Sequence, residues 1–135
     1  MLVKDLMTSQ VEVVDRNDDL LMIDELMENR QIRHLPVVED HKIVGLVTQS
    51  DMFKAMMSSA MGYGEMAQQK FLRSLRVKEV MVYPVVTVSP DTQLEEAIGM
   101  MMEKGIGCLP VVNGTQLVGM VTKTDLLRFL RTHAD

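Results

Sequence analysis

The chain is poor in the residues that mark several large classes of protein. It has one cysteine, no tryptophan, and aromatic residues at only 4% of its 135 positions. A lone Cys108 excludes an internal disulfide and fits a reducing compartment, so a cytoplasmic location is expected. No apolar run approaches the ~20 residues that a membrane span needs. The opening MLVKDLMTSQ carries charge and no long apolar stretch, so neither a signal peptide nor a membrane partner is expected. Net charge is −5 with no basic block, which argues against nucleic acid as the main partner. A small anionic ligand is still compatible, because it needs only a few local donors. Activated nucleophiles, paired carboxylates and metal-ligand clusters are missing too. His34 and Cys108 fall short of the four ligands a structural zinc wants. His41 and His133 have no evident partner. These absences point away from an enzyme and away from any required cofactor or metal.

Methionine, by contrast, is abundant at 14 residues. Flexible thioethers suit either core filling or an adaptable binding surface. The strongest positive feature is self-similarity. Residues 3–56 and 77–130 align without a gap at an offset of 74, and 17 of the 54 pairs are identical. Val3/Val77, Met7/Met81, Leu20/Leu94, Pro36/Pro110, Gly45/Gly119, Thr48/Thr122 and Asp51/Asp125 are among them. Such a repeat sets architecture before any local assignment. The expected organisation is one motif over 1–60, a helical connector over 61–76 and a second motif over 77–135.

Each copy reads as β-α-β-β-α, an α/β (α+β) arrangement. In the first copy, Val11–Val14 alternates weakly as a short strand. Leu20–Asn29 has Leu20, Ile23, Leu26 and Met27 at helical spacing, with Asp18 or Asp19 at its start. His34–Val38 and Ile43–Thr48 are Val-rich strands around the turn 39–42, and 50–60 reads as a helix. The second copy repeats this as Val85–Val88, Leu94–Lys104, Cys108–Val112, Leu117–Thr122 and a helix from Thr124. Gly105 suits a helix C-cap and Asn113-Gly114 a hairpin turn. Glu65–Leu75 reads as a connector helix. A three-stranded sheet with helices on one face leaves its other face bare, and a second like unit can cover it. Two copies packed face to face about a pseudo-two-fold are therefore expected.

Two doublets carry the candidate chemistry. Gly-x-Val-Thr-x-x-Asp occurs at Gly45–Asp51 and Gly119–Asp125, each where a strand enters a helix. There, backbone N–H groups and the helix dipole favour an anion. Thr48 or Thr122 can add a hydroxyl, and Asp51 or Asp125 can accept from both hydroxyls of a ribose. Thr-x-x-Asp also resembles a capping box, which stabilises by about 1 kcal/mol with no ligand. The second doublet is His34-Leu35-Pro36-Val37-Val38 and Cys108-Leu109-Pro110-Val111-Val112. Proline cannot donate to a ladder, so Pro36 and Pro110 are expected at a strand start or edge. Free backbone groups just before them can read the edge of a planar base, or the prolines can simply fix a turn.

With both doublets at fixed spacing, the chain resembles a tandem pair of CBS motifs, the Bateman regulatory module. IRHLPVV (32–38), GIGCLPVV (105–112) and TKTDLLR (122–128) are similar to the CBS part of small acetoin-utilisation-type proteins. The resemblance implies adenosine-type ligands: AMP, ADP, ATP or S-adenosylmethionine. It also implies sites that mix the copies. One would use Thr8, Val11, Ile32 and Arg33 with Met120, Thr122 and Asp125. The other would use Val82, Val85, Ile106 and Gly107 with Leu46, Thr48 and Asp51. Arg33, His34 and Lys123 would gather in the first, where Gly107, Cys108 and Gln49 stand in the second. Phosphate needs cationic donors, so the first is expected to hold phosphorylated ligand more tightly. A ligand-sensing module read by a downstream protein is the leading expectation, and a structural dimerisation module with empty pockets is the alternative. Leu126, Leu127, Phe129 and Leu130, with Met52, Phe53, Met56 and Met57, crowd the two last helices, so a homodimer is expected.

Overall fold

A computed structural model describes residues 1–57 and 64–133. The architecture is mixed α/β. Its helices are α1 (Leu20–Arg30), α2 (Gln49–Met57), α3 (Glu65–Ser74), α4 (Leu94–Lys104) and α5 (Lys123–His133). Its strands are β1 (His34–Glu39), β2 (Lys42–Thr48), β3 (Cys108–Asn113) and β4 (Gln116–Thr122). The helix anticipated over 50–60 begins one residue earlier, and its positions 58–60 lie outside the described residues.

The chain forms two compact units, and neither is one contiguous repeat. One comprises Met1–Val11 with Val86–Asp135, and the other comprises Glu12–Val85. In the first unit, the N-terminal segment is bound to the second repeat. Val3 N–H donates to the Thr92 carbonyl at 2.9 Å, Leu94 N–H to that of Met1 at 2.9 Å, and Val3 is fully buried. Val3 joins Val88, Ala97, Met101, Leu109, Val111 and Val121 in that unit's core. The second unit matches it. Val77 N–H donates to the Asp18 carbonyl at 2.9 Å, and Val77 packs with Leu20, Ile23, Leu35, Val37, Val47 and Leu72.

Local chemistry explains the elements. Asp19 caps α1 by accepting from Met22 N–H at 3.0 Å, and Leu20, Ile23 and Met27 bury one face. The helix closes on Gln31 in the left-handed region (φ 54°), with Ile32 N–H reaching the Met27 carbonyl at 3.1 Å. Gly105 closes α4 the same way at φ 63°, and Ile106 N–H bonds the Met101 carbonyl at 3.0 Å. β1–β2 and β3–β4 are antiparallel hairpins in equivalent register, His34 opposite Thr48 and Cys108 opposite Thr122. Asp40 and His41 both take positive φ, the geometry of a two-residue type I′ turn.

Two expectations are corrected. Val11–Val14 and Val85–Val88 are not strands: each contributes one parallel bridge, Val14 to Val37 and Val88 to Val111. Each motif is therefore α-β-β-α behind a single bridging residue. Asn113 ends β3, opposite Gln116, so the second turn is centred on Gly114 and Thr115. Of the two places expected for the prolines, a strand start or an edge, the edge is found: Pro36 and Pro110 are third in β1 and β3, both of which are edge strands. The Pro36 carbonyl accepts from Val14 N–H at 3.0 Å. N and O of one strand residue point to the same side, so the missing N–H faces away from β2 and breaks no ladder bond.

Candidate functional site

In both hairpins the second strand runs into a helix with no intervening residue. The Thr-x-x-Asp segment sits at that junction, and both copies form a reciprocal cap. Asp51 Oδ2 accepts from Thr48 N–H at 2.9 Å and from Thr48 Oγ1 at 2.8 Å, while Asp51 N–H donates to Thr48 Oγ1 at 3.2 Å. Asp125 Oδ2 accepts from Thr122 N–H at 2.9 Å, and Asp125 N–H donates to Thr122 Oγ1 at 3.2 Å. The capping alternative is thus realised twice. The anion-cradle reading loses donors, since the first helical N–H is also taken: Gln49 donates to the Arg33 carbonyl at 2.9 Å and Lys123 to the Gly107 carbonyl at 3.0 Å. A carboxylate already occupies each helix N-terminus, so phosphate would depend on cationic side chains.

The cap uses one carboxylate oxygen and leaves the other. Both hydrogen bonds that Asp51 accepts from Thr48 fall on Oδ2. Asp125 Oδ1 lies 3.6 Å from Arg128 Nη1, and the Asp125 side chain is only 12% exposed. A carboxylate offers about four acceptor positions, so capping and acceptance from a ligand hydroxyl are compatible.

The second element of each half-site is an extended segment from the other repeat. Thr8 and Met120 exchange both backbone hydrogen bonds at 2.9 Å. Val82 and Leu46 do the same at 2.7 and 3.1 Å. Thr8 and Val11 therefore share a unit with Met120, Thr122 and Asp125, and Val82 and Val85 share one with Leu46, Thr48 and Asp51. Ile32, Arg33 and His34 belong to the second unit, and Ile106, Gly107, Cys108 and Lys123 to the first. Arg33, Thr8, Val82 and Lys123 are exposed, whereas Val11, Ile32, His34, Leu46, Val85, Ile106 and Gly107 are half-buried. Leu35, Pro36, Pro110, Cys108 and Met120 are buried, so their side chains serve the cores.

Met7 and Met81 stand out in the sequence only as an identical pair. They immediately precede the bridging residues Thr8 and Val82 and lie against Gly119 and Gly45.

Other reactive groups are placed unreactively. Burial, and then the charge of Asp125, pushes the Cys108 thiol up to about 12, so it is not a thiolate near neutrality. His41 is exposed in the hairpin turn, and exposed His133 stacks on Phe129 at 4.0 Å. Among the described residues, no group of three or more His, Cys, Asp or Glu side chains could hold a metal. A cavity of about 180 Å³ between α4 and α5 is lined by Ile98, Met101, Met102, Gly105, Lys123 and Leu126, of which only Lys123 is a candidate from the motifs. No helix among the described residues is long and apolar enough to cross a membrane.

Comparison with known proteins adds independent findings. The family model "CBS domain" matches residues 3–58 and 77–132. A homoserine O-acetyltransferase from Methanohalobium evestigatum is 32% identical over 95% of the chain, which spans only 24% of that protein. A protein assigned to acetoin utilization (AcuB) from Vibrio cholerae superposes with a TM-score of 0.84 at 32% identity, covering 98% of this chain and 92% of that one. The CBS domain pair of protein MJ0100, solved with 5′-methylthioadenosine and S-adenosyl-L-methionine, superposes with a TM-score of 0.82 at 25% identity, covering 98% and 97%.

Proposed function

Since the chain belongs to the CBS-domain family, as a tandem pair, we propose that it is a non-catalytic regulatory module whose ligand is an adenosine-type molecule: AMP, ADP, ATP or S-adenosylmethionine. The observation that carries this reading is the twice-built half-site. Each unit brings a Thr–Asp pair at a helix start beside an extended segment held by two backbone bonds. In this reading Asp51 and Asp125 accept from ribose hydroxyls through the oxygen that the cap leaves, and backbone beside Thr8 and Val82 contacts the base. Arg33 and Lys123, both exposed, supply charge for phosphate. The occupied MJ0100 pair supports the ligand class, which is common to adenine nucleotides and sulfonium nucleosides.

The ligand acts as a switch only if it binds one arrangement of the protein better than another. A downstream protein would read that change. Small-angle scattering with and without saturating ATP or AMP reports the switch. Identical profiles would remove it while leaving binding intact.

A second reading has its own observation. Phe53 is 62% exposed on α2, and Leu127 and Leu130 are 66% and 60% exposed on α5. Apolar helix faces of this kind suit self-association, and a homodimer is part of the proposal. A purely structural dimerisation module would have the same faces and no ligand. Thermal unfolding separates the two. A ligand at 100 times its Kd stabilises by about 2.7 kcal/mol. A raised Tm with one of the four molecules supports the sensor, and no shift with any of them at millimolar concentration supports the structural module.

A further inference from the structure

Gly45 and Gly119, which open the repeated motif, are both buried, and neither takes a positive φ. Conformational freedom does not explain them, but space does. A β-carbon at Gly45 would fall on Met81 Sδ, with Met81 Cγ at 3.0 Å and Cβ at 3.3 Å. A β-carbon at Gly119 would lie 2.7 Å from Met7 Sδ, 3.2 Å from Met7 Cγ and 2.9 Å from the Thr8 carbonyl oxygen. In each unit a thioether therefore lies across a bare stretch of strand. The residue after each methionine is the one that bridges, Val82 to Leu46 and Thr8 to Met120.

We propose that the Met81–Gly45 and Met7–Gly119 contacts are positioning devices for the two ligand half-sites, an inference that rests on the adenosine-binding reading. Between the backbone anchors at Val3 and Lys4, or at Val77 and Lys78, and the later bridges of Val14 and Val88, each segment meets the strand at one bridging residue, which fixes its spacing there but not its tilt. A side chain seated in the glycine gap is a second attachment one residue away, and two attachments fix orientation. The unbranched thioether suits a narrow gap over backbone. Binding walls that are fixed beforehand lose less on association. Met81 thereby presents Val82 and Val85 beside Thr48 and Asp51, and Met7 presents Thr8 and Val11 beside Thr122 and Asp125.

The test is isothermal titration of the full chain with AMP, ADP, ATP and S-adenosylmethionine, with Asp125→Ala and Asp51→Ala backgrounds to separate the sites. Denaturant unfolding confirms that each variant is folded. Gly45→Ala and Met81→Ala should each weaken the site containing Asp51 about tenfold, the scale of a moderate overpacking or truncation cost. The double variant should be no worse than either single, because both changes break one contact. The site containing Asp125 should be unchanged by these variants and weakened instead by Gly119→Ala. Loss spread equally over both sites, an additive double variant, or singles within twofold of wild type overturns the positioning role while leaving the binding reading in place. Failure of the wild-type chain to bind any of the four overturns both.

Discussion

Replacing Asp125 by alanine separates the two duties of its carboxylate, capping and ligand binding. As a cap, it accepts one backbone bond at 2.9 Å and lies 3.6 Å from a guanidinium nitrogen of Arg128. Loss of a cap costs about 0.5–2 kcal/mol, and a pair with an Arg whose side chain is 63% exposed adds a few tenths. The folded chain should therefore lose about 1–2 kcal/mol in urea unfolding and stay folded. As a ribose acceptor, the same carboxylate makes charge-assisted bonds worth about 1.5–3 kcal/mol each, so affinity should fall by ten- to a hundredfold or more. Asp125→Asn keeps an acceptor for Thr122 N–H and removes the charge, so it should recover much of the stability and little of the affinity. Asp51→Ala should cost similar stability, because Asp51 accepts both the Thr48 N–H and hydroxyl. The family resemblance gathers Arg33, His34 and Lys123 with Asp125, and on that expectation Asp51→Ala should cost less affinity for AMP. Titration calorimetry beside urea unfolding reads both quantities. Stability loss with unchanged AMP affinity would show that Asp125 is only a cap, and equal affinity losses in the two variants would refute the asymmetry.

Further outcomes follow from single positions. Gln31 takes φ 54°, where its counterpart Gly105 is free of side-chain strain, so Gln31→Gly should stabilise by about 0.5–1 kcal/mol in thermal unfolding. Val3 is fully buried although it is third in the chain, so Val3→Ala should cost about 2 kcal/mol, where a loose terminus would show no change. Cys108 has its pKa raised from 9.0 to about 12 in the folded chain. The unfolded thiol therefore ionises first, so its contribution is constant below pH 9 and lost as pH rises from 9 toward 12, at about 1.4 kcal/mol per unit. Cys108→Ala should remove that alkaline slope, and an unchanged slope would contradict the burial argument.

Local features of the fold are legible because local rules govern them. Leu20, Ile23 and Met27 announce α1 by spacing, Asp18 or Asp19 marks its start, and Gly105 announces the end of α4. The Val-rich hairpins are placed by sequence to within a residue at each end. Val11–Val14 and Val85–Val88 mislead because β propensity reports a pleated, packed setting, and each segment meets only one bridging partner. The first turn is evident at 39–42, but the positive φ of Asp40 and His41 is set by the hairpin, since neither residue requires it. The exchange of N-terminal segments between repeats has no local signature, because the Val3–Thr92 and Val77–Asp18 bonds join distant residues; only the family resemblance implies it, by setting Thr8 with Met120 and Val82 with Leu46. At the candidate site, the motif reveals the Thr–Asp pair, while its capping geometry needs coordinates. Met7 and Met81 leave one signal, their identity at the repeat offset alongside Gly45 and Gly119, but nothing in the sequence says that a thioether fills the glycine gap.

Native mass spectrometry of the intact chain, first as purified and then titrated with AMP, ADP, ATP and S-adenosylmethionine, tests adenosine-type binding most directly. The account predicts a saturable mass increment for at least one of them, abolished when Asp51 and Asp125 are both replaced by alanine. A spectrum showing only unliganded protein throughout, or increments that survive the double replacement, would contradict it.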